Sequence, residues 1–200
     1  NTVLAFLSVF EYERPFGEKD IELTALLCDA VSLEMQKAKS FKYVKGTAFE
    51  SFMTDLLDGK IRDSDTVKDL RDSLGLNLKK NLYVMVVDLK KSSLNIHTLY
   101  LISLLEDMVG DSKGIFYNDQ IVMLISREEK HFTYTDIFTE KLDEFMRKNG
   151  LAAGLSRPFH DLRDIGAYYS QAQSAVELGQ YRDNSKVLHS FDQVTQYYAL

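Results

Sequence analysis

The residues best suited to chemistry lie in a turn between two short apolar runs, in the stretch GIFYNDQIVMLIS from Gly114 to Ser126. The turn reads Tyr117-Asn118-Asp119-Gln120, and another carboxylate, Asp88, ends a separate apolar run. Carboxylates are the ligands that magnesium prefers in proteins. Asn and Asp are equally typical of a plain β-hairpin turn. The sequence therefore allows two interpretations, a hairpin connection or the remains of an active site.

The other reactive side chains show no catalytic or metal-binding arrangement. The four histidines lack spacing such as His-x-x-x-His, and the serines lack a nucleophile elbow. We interpret Cys28, the single cysteine, as a small apolar residue of a core or interface. We therefore expect no catalytic residue, no metal and no cofactor. The histidines are His97, His131, His160 and His189.

Composition narrows the classes of function. The 200 residues carry a formal charge of −6 and contain no run of Lys and Arg, which argues against a phosphate-binding surface as the main function. The longest apolar run, Leu82–Val87, has strand length and is too short to span a membrane. No signal peptide is visible, and a single cysteine fits a reducing compartment, so we expect a cytoplasmic protein.

A long helix is predicted from Glu18 to Gly46, after a β-rich run at residues 3–12. Its first turn is acidic, and its apolar residues recur at three- and four-residue steps. Such a helix packs either on a second copy of itself, which we favour, or on the core of its own domain. The candidate residues of a dimer seam are Leu23, Leu27, Ala30, Val31, Ala38 and Phe41.

From Asn81 onward, strands and helices alternate in the order β-α-β-β-α-β-α-β, with a hairpin at 114–126. This order predicts an α/β sheet with helices packed mainly on one face, because each helix shows a single apolar stripe. Two short helices precede the sheet, with Gly46 as a possible joint before them. The predicted bounds are strands at 81–89, 151–156 and 185–191, and helices at 64–74, 95–109, 134–148 and 161–179.

This element order resembles the GGDEF domain, the ferredoxin-like fold of diguanylate cyclases. In an active cyclase the hairpin turn carries Gly-Gly-Asp-Glu-Phe. At the matching positions of this chain, only the aspartate, Asp119, is the same. Tyr117 stands where the cyclase turn has a glycine, so a ring occupies the space in which the backbone would approach a nucleotide. Gln120 stands where the cyclase turn has a metal-binding acid. Asp88 matches the other metal-binding aspartate, and Met108 stands where an inhibitory arginine is expected. The resemblance implies a site that has lost cyclase activity.

A more specific resemblance, to PucR/CdaR-type bacterial transcriptional regulators, covers most of the chain. It rests on KGTAFESFMTDLLDGKI and on GLSRPFHDLRDIGAYYSQAQSAVELG. It implies a degenerate GGDEF-like domain at 46–191 and a lead at 192–200 into an absent helix-turn-helix that would contact DNA. The stretch LAFLSVFEYERPFGEKDIELTALLCDAVSLEMQK resembles the final strand and helix of a GAF-type sensor domain, which implies the end of such a domain at 1–45. The motif residues are Gly154, Leu155, Ser156, Pro158, Asp161, Leu162, Tyr169, Ala172 and Ala175.

Three functions follow in order of preference. The first is a non-catalytic region that transmits a signal and forms a homodimer. The second is a regulatory domain that binds GTP or a related effector without turnover, with Asp88, Asn118, Asp119 and Gln120 as its pocket. The third is an active cyclase or another phosphotransferase. We interpret the Ser156-Pro158 segment as a determinant of fold, with a ligand role for Arg157 or His160 as the alternative.

Overall fold

The computed structural model describes residues 8–10, 14–90, 92, 97–128 and 137–198. The side chains of residues 34–45 and 197–198 are not described. The chain divides into two units, residues 1–48 and 49–200. Most of the predicted strand at 3–12 lies outside the described residues, and 8–10 have no regular secondary structure. Among the helices that are described, none has the length and apolar character needed to cross a membrane.

Helix α1 (Glu18–Leu57) begins in the first unit. Asp20 accepts a hydrogen bond from the Gly17 amide (2.9 Å) and pairs with Arg14, and these contacts hold the pKa of Asp20 down at about 2. A carboxylate at this place satisfies amides that a helix start leaves unbonded. The helix does not stop at the predicted joint, Gly46, because one glycine in a helix costs only about 1 kcal/mol.

A five-stranded sheet forms the centre of the second unit, in the order β2-β3-β1-β4-β5. All neighbouring strands are antiparallel except β4 and β5, which are parallel. Strands β1 and β3 are buried on both faces, which explains their nearly continuous apolar sequences. The strands are β1 (Asn81–Asp88), β2 (Ser112–Tyr117), β3 (Gln120–Arg127), β4 (Ala152–Leu155) and β5 (Leu188–Ser190).

Helices cover both faces of this sheet. The face of β1 that carries Leu82, Val84 and Val86 packs against the end of α1, α2 and α5. The opposite face, with Tyr83, Met85 and Val87, packs against α3 and α4. The predicted element order and the mixed α/β fold are confirmed, but the expectation of helices mainly on one face is wrong. The helices are α2 (Ser64–Ser73), α3 (Thr98–Val109), α4 (Glu140–Lys148), α5 (Ile165–Arg182) and α6 (Phe191–Tyr198), with a 3-10 turn at Leu162–Asp164.

Two predicted helix ends are corrected. Helix α4 begins at Glu140, where the Thr139 hydroxyl accepts the Leu142 amide hydrogen bond (3.2 Å); residues 134–136 of the predicted helix lie outside the described chain. Helix α5 continues past Gly179 to Arg182. Gly179 is a packing residue there, because a Cβ at this position would lie 2.3 Å from the His189 ring.

The Gly154–Ser156 segment joins the sheet to α5. A Cβ on Gly154 would lie 2.0 Å from the Ala172 carbonyl oxygen, so only glycine lets the helix backbone approach β4 this closely. Ala172 and Ala175 are fully buried in the same helix. Beyond the strand, the buried Ser156 hydroxyl accepts the Val84 amide hydrogen bond (2.9 Å) where the chain turns towards Pro158. These motif residues are therefore explained by packing.

Candidate functional site: the hairpin tip

Asn118 and Asp119 form a two-residue turn between β2 and β3, flanked by the paired residues Tyr117 and Gln120. Both turn residues have left-handed backbone angles, with φ of 48° and 60°. Hairpins of this length favour positive φ at both positions, and Asn and Asp are the side-chain-bearing residues that best tolerate it. The backbone alone thus accounts for the residue types at the tip.

Tyr117 is tethered to the end of α1. Its hydroxyl donates a 2.7 Å hydrogen bond to Asp58 Oδ1, and the other oxygen of Asp58 pairs with Lys60 Nζ at 2.8 Å. The contacts with Lys60 and then Tyr117 lower the pKa of Asp58, and the carboxylate in turn raises the pKa of Tyr117. Asp58 therefore stays ionised and holds the phenol beside it.

Tyr169 of α5 closes the same space from the helix side. Its ring meets the Tyr117 ring edge to face, with centroids 5.6 Å apart, and its hydroxyl donates to Gln120 Oε1 at 3.2 Å. Burial raises the pKa of Tyr169. The Asn118 side chain exerts a smaller, opposing influence on the pKa of both tyrosines, which places its amide beside their hydroxyls. Two rings and two amides thus fill the tip.

The structure brings three of the four predicted pocket residues together. Asp88 pairs across the strands with Gln120, so their side chains emerge on the same face of the sheet, and Asn118 lies beside the tyrosines above. The Asp88 carboxylate accepts the Lys90 amide hydrogen bond (3.0 Å). Asp119, the fourth residue, is exposed. Among the residues described, no group of three or more His, Cys, Asp or Glu is arranged to hold a metal ion.

The contacts that close the tip were missed from the sequence. Asp58 and Lys60 lie in the short DGK segment after α1, where they resembled ordinary helix-end residues. From the sequence, Tyr169 is a motif residue and one of several aromatic residues for which packing is the default expectation. The 59-residue separation of Tyr117 and Asp58 leaves no local pattern by which to find the pair.

Arg157, Asp161 and His189 occupy structural positions, although the buried Nε2 of His189 has no hydrogen-bond partner among the described residues. Arg157 pairs with Asp192 and lies 5.2 Å over the Phe191 ring, which fastens α6 to the turn after β4. Asp161 accepts the Arg163 amide hydrogen bond (2.9 Å) and so caps the 3-10 turn. Burial lowers the pKa of His189, which sits under Gly179. His131 lies outside the described residues.

Comparison with known proteins places the chain in a family. Residues 58–178 match the family described as the GGDEF-like domain, and the chain belongs to this family. The matched segment begins at Asp58, includes the whole hairpin and ends within α5. Comparisons with curated proteins and with solved structures gave no match. The GGDEF-like part of the predicted resemblance is thereby confirmed.

Proposed function

We propose that this chain is a non-catalytic region of a bacterial transcriptional regulator that transmits a signal and pairs two subunits. The observation that carries the proposal is the tether of Tyr117 to Asp58, with Tyr169 packed against its ring. A nucleotide approaching the turn would meet these rings where an active site needs bare backbone. Gln120 also supplies no charge for a metal.

The proposed pairing surface is an apolar band on the first part of α1. With Leu27 as d, Val31 and Ala38 fall at a and Phe41 at d, while Leu23 and Ala30 fall at g. The large apolar side chains of residues 21–33 are between 40 and 67 % exposed. A soluble helix rarely leaves so much apolar surface open, and the heptad spacing favours a second copy of the same helix as its cover. Ala38 and Phe41 enter only through their sequence positions.

The regulator context rests on the PucR/CdaR resemblance of the Gly154–Ala175 motif. In this proposal residues 1–45 are the end of a GAF-type sensor, and DNA is contacted by a helix-turn-helix beyond the present residues. The region works in the cytoplasm and requires no cofactor. Pairing through α1 would set the spacing of two DNA-binding parts, and a change in the sensor would alter that pairing.

A second candidate is a domain that holds GTP at the hairpin without turnover. The observation that favours it is the placement of Asp88 opposite Gln120 with the Asn118 amide nearby. A nucleotide there would need either displacement of the two tyrosines or a position outside them. The carboxylates of Asp88 and Asp119 could then bind its magnesium.

Titration calorimetry with Mg-GTP, on the wild type and on Asp88→Asn/Asp119→Asn, distinguishes the two candidates. The proposed function predicts that the wild type and the double variant give the same heat on titration with Mg-GTP. Binding that requires magnesium and is lost in the double variant would favour the second candidate. Asp143→Asn/Glu144→Asn on α4 is the matched control, because it removes two carboxylates from the far face of the sheet.

A further inference from the structure

A cavity of about 430 Å³ opens on the second unit between α2, the start of β1 and the segment after Phe159. Its apolar lining consists of Val67, Leu78, Leu82 and Leu162, of which all but Leu78 are buried. Ligand sites of proteins usually have volumes of about 300–1,000 Å³ with an apolar lining and a few polar groups. The cavity has the size and the floor of a small-molecule site.

The rim of this cavity is strongly cationic in an acidic protein. Five Lys and Arg side chains line it against one carboxylate, Asp161, which Arg163 engages through both oxygens. Arg71 and Lys79 contact Asp72 and Asp111, which are not among the lining residues. Lys68 and Lys80 are exposed and make no ion pair within the described chain. The five are Lys68, Arg71, Lys79, Lys80 and Arg163.

His160 adds a directed donor or acceptor. Its Nδ1 lies 2.9 Å from the Lys80 carbonyl oxygen, and because a carbonyl only accepts, Nδ1 carries the hydrogen. The ring is thereby oriented with Nε2 left for another partner. Arg71, Lys79 and Arg163 have carboxylate partners in the fold, whereas Lys68 and Lys80 make no ion pair among the described residues and are available to a ligand.

The cavity is separate from the hairpin tip. Leu82, in its floor, and Asp88, at the hairpin end, lie six residues apart on the same strand, which corresponds to about 20 Å. None of the four candidate residues of the hairpin pocket lines the cavity. A ligand bound here would contact α2 and the turn before α5, two elements that pack on the same face of the sheet.

We propose that this cavity binds a small phosphorylated organic ligand, with the phosphate at the Lys and Arg rim and the organic part on the apolar floor. Phosphate groups are bound in proteins mainly by such charge-assisted hydrogen bonds from Lys and Arg. The limited volume of the cavity favours a small metabolite over a long polyanion. The proposal goes beyond the proposed function and does not depend on pairing or on the state of the hairpin.

The test is titration calorimetry of the whole chain with GMP, pyrophosphate and guanosine. The wild type is expected to bind GMP more tightly than pyrophosphate, since only GMP also covers the apolar floor, and to bind guanosine more weakly than GMP. Binding should weaken as salt rises. Lys68→Gln/Lys80→Gln should weaken GMP binding about tenfold or more, the loss expected for one to two charge-assisted hydrogen bonds.

Lys141→Gln/Lys148→Gln is the matched control, because it removes two exposed charges from α4 on the other face of the sheet. It should leave the affinity for GMP unchanged. The two cavity lysines are also exposed, so far-ultraviolet circular dichroism should show all variants folded. Absence of binding by both GMP and pyrophosphate, or equal weakening by the two double substitutions, would overturn the proposal. If GMP binding were lost in Asp88→Asn/Asp119→Asn instead, the ligand would bind at the hairpin, and the proposal would also be overturned.

Discussion

At the scale of single residues, the hairpin tip keeps Asn118 and Asp119 for reasons of backbone geometry. Both have positive φ, which L-residues other than Asn and Asp adopt at a cost. Tyr117, Asn118 and Gln120 stand where the turn of the resembled cyclases has two glycines and an acid, and Tyr117 and Gln120 have partners inside the fold. Contacts within the fold therefore account for the conformation of the tip.

Replacing Asp119 with glycine should stabilise the domain. Glycine adopts positive φ freely, and Asn-Gly is a preferred pair for such a turn, so Asp119→Gly should raise the free energy of unfolding by roughly 0.5–1 kcal/mol. Urea denaturation measures this change. Asp119→Ala should lower the free energy of unfolding, because alanine neither adopts positive φ freely nor is a preferred residue of such a turn. A loss of stability in Asp119→Gly would mean that the carboxylate itself supports the fold.

Removing the Tyr117 hydroxyl should destabilise the second unit. Tyr117→Phe keeps the ring contact with Tyr169 and removes one hydrogen bond to an ionised carboxylate, which is worth about 1.5–3 kcal/mol before Lys60 and water compensate. We expect a net loss of about 1 kcal/mol in urea denaturation. Tyr181→Phe is the control, since Tyr181 is 90 % exposed. Equal stability of both variants would show that the tether to Asp58 is unimportant.

At the scale of elements, the sequence predicted most of the fold. The order of strands and helices from Asn81 follows from apolar periodicity, and the hairpin from its turn residues. The face of the sheet on which each helix packs could not be predicted. An apolar stripe shows that one side of a helix is buried, but it does not show which face of the sheet covers that side. The end of α5 was predicted too early because Gly179 resembles a stop, whereas it makes room for His189.

The candidate site was less predictable for the same reason. The departure of the turn from that of active cyclases is visible in the sequence, and so are Asp88 and the turn itself. The closure of the tip depends on Asp58, Tyr117 and Tyr169, which come from three distant elements. Only the folded chain brings them together. The GAF-type end, the helix-turn-helix and the homodimer stay predictions.

Close packing of α5 on β4 gives a prediction at this scale. Gly154→Ala places a Cβ against the Ala172 carbonyl oxygen and the Val176 amide, which are rigid backbone groups. The helix must move away from the sheet, so we expect a loss of about 3 kcal/mol or more in urea denaturation. Gly46→Ala is the control, because a Cβ there meets nothing within 4 Å and the helix gains propensity. A loss below about 1 kcal/mol would show that α5 is not seated on β4 as described.

At the scale of the whole molecule, the account predicts pairing through α1. The apolar band lies at heptad positions c, g, d and a, which are contiguous around the helix, whereas position b lies on the other side. Sedimentation equilibrium should therefore give a mass approaching twice the 22.9 kDa of the chain at micromolar concentration. A single-chain mass throughout that range would refute pairing.

Charges placed in the band should separate the subunits. Leu27→Glu/Val31→Glu buries two like charges against two from the partner, so the dissociation constant of the dimer should rise by about tenfold or more. Ala25→Glu/Ser32→Glu adds the same charge at two b positions, which are exposed. This control should pair as the wild type does. Equal effects of the two double substitutions would locate the interface elsewhere.

The central claim, that the filled hairpin tip performs no nucleotide chemistry, is tested most directly by pyrophosphate release from Mg-GTP. The measurement uses the whole chain at the micromolar concentration chosen for sedimentation. We predict release no faster than in a blank without protein, and no difference between the wild type and Asp88→Asn/Asp119→Asn. Release by the wild type that this double substitution abolishes would contradict the account.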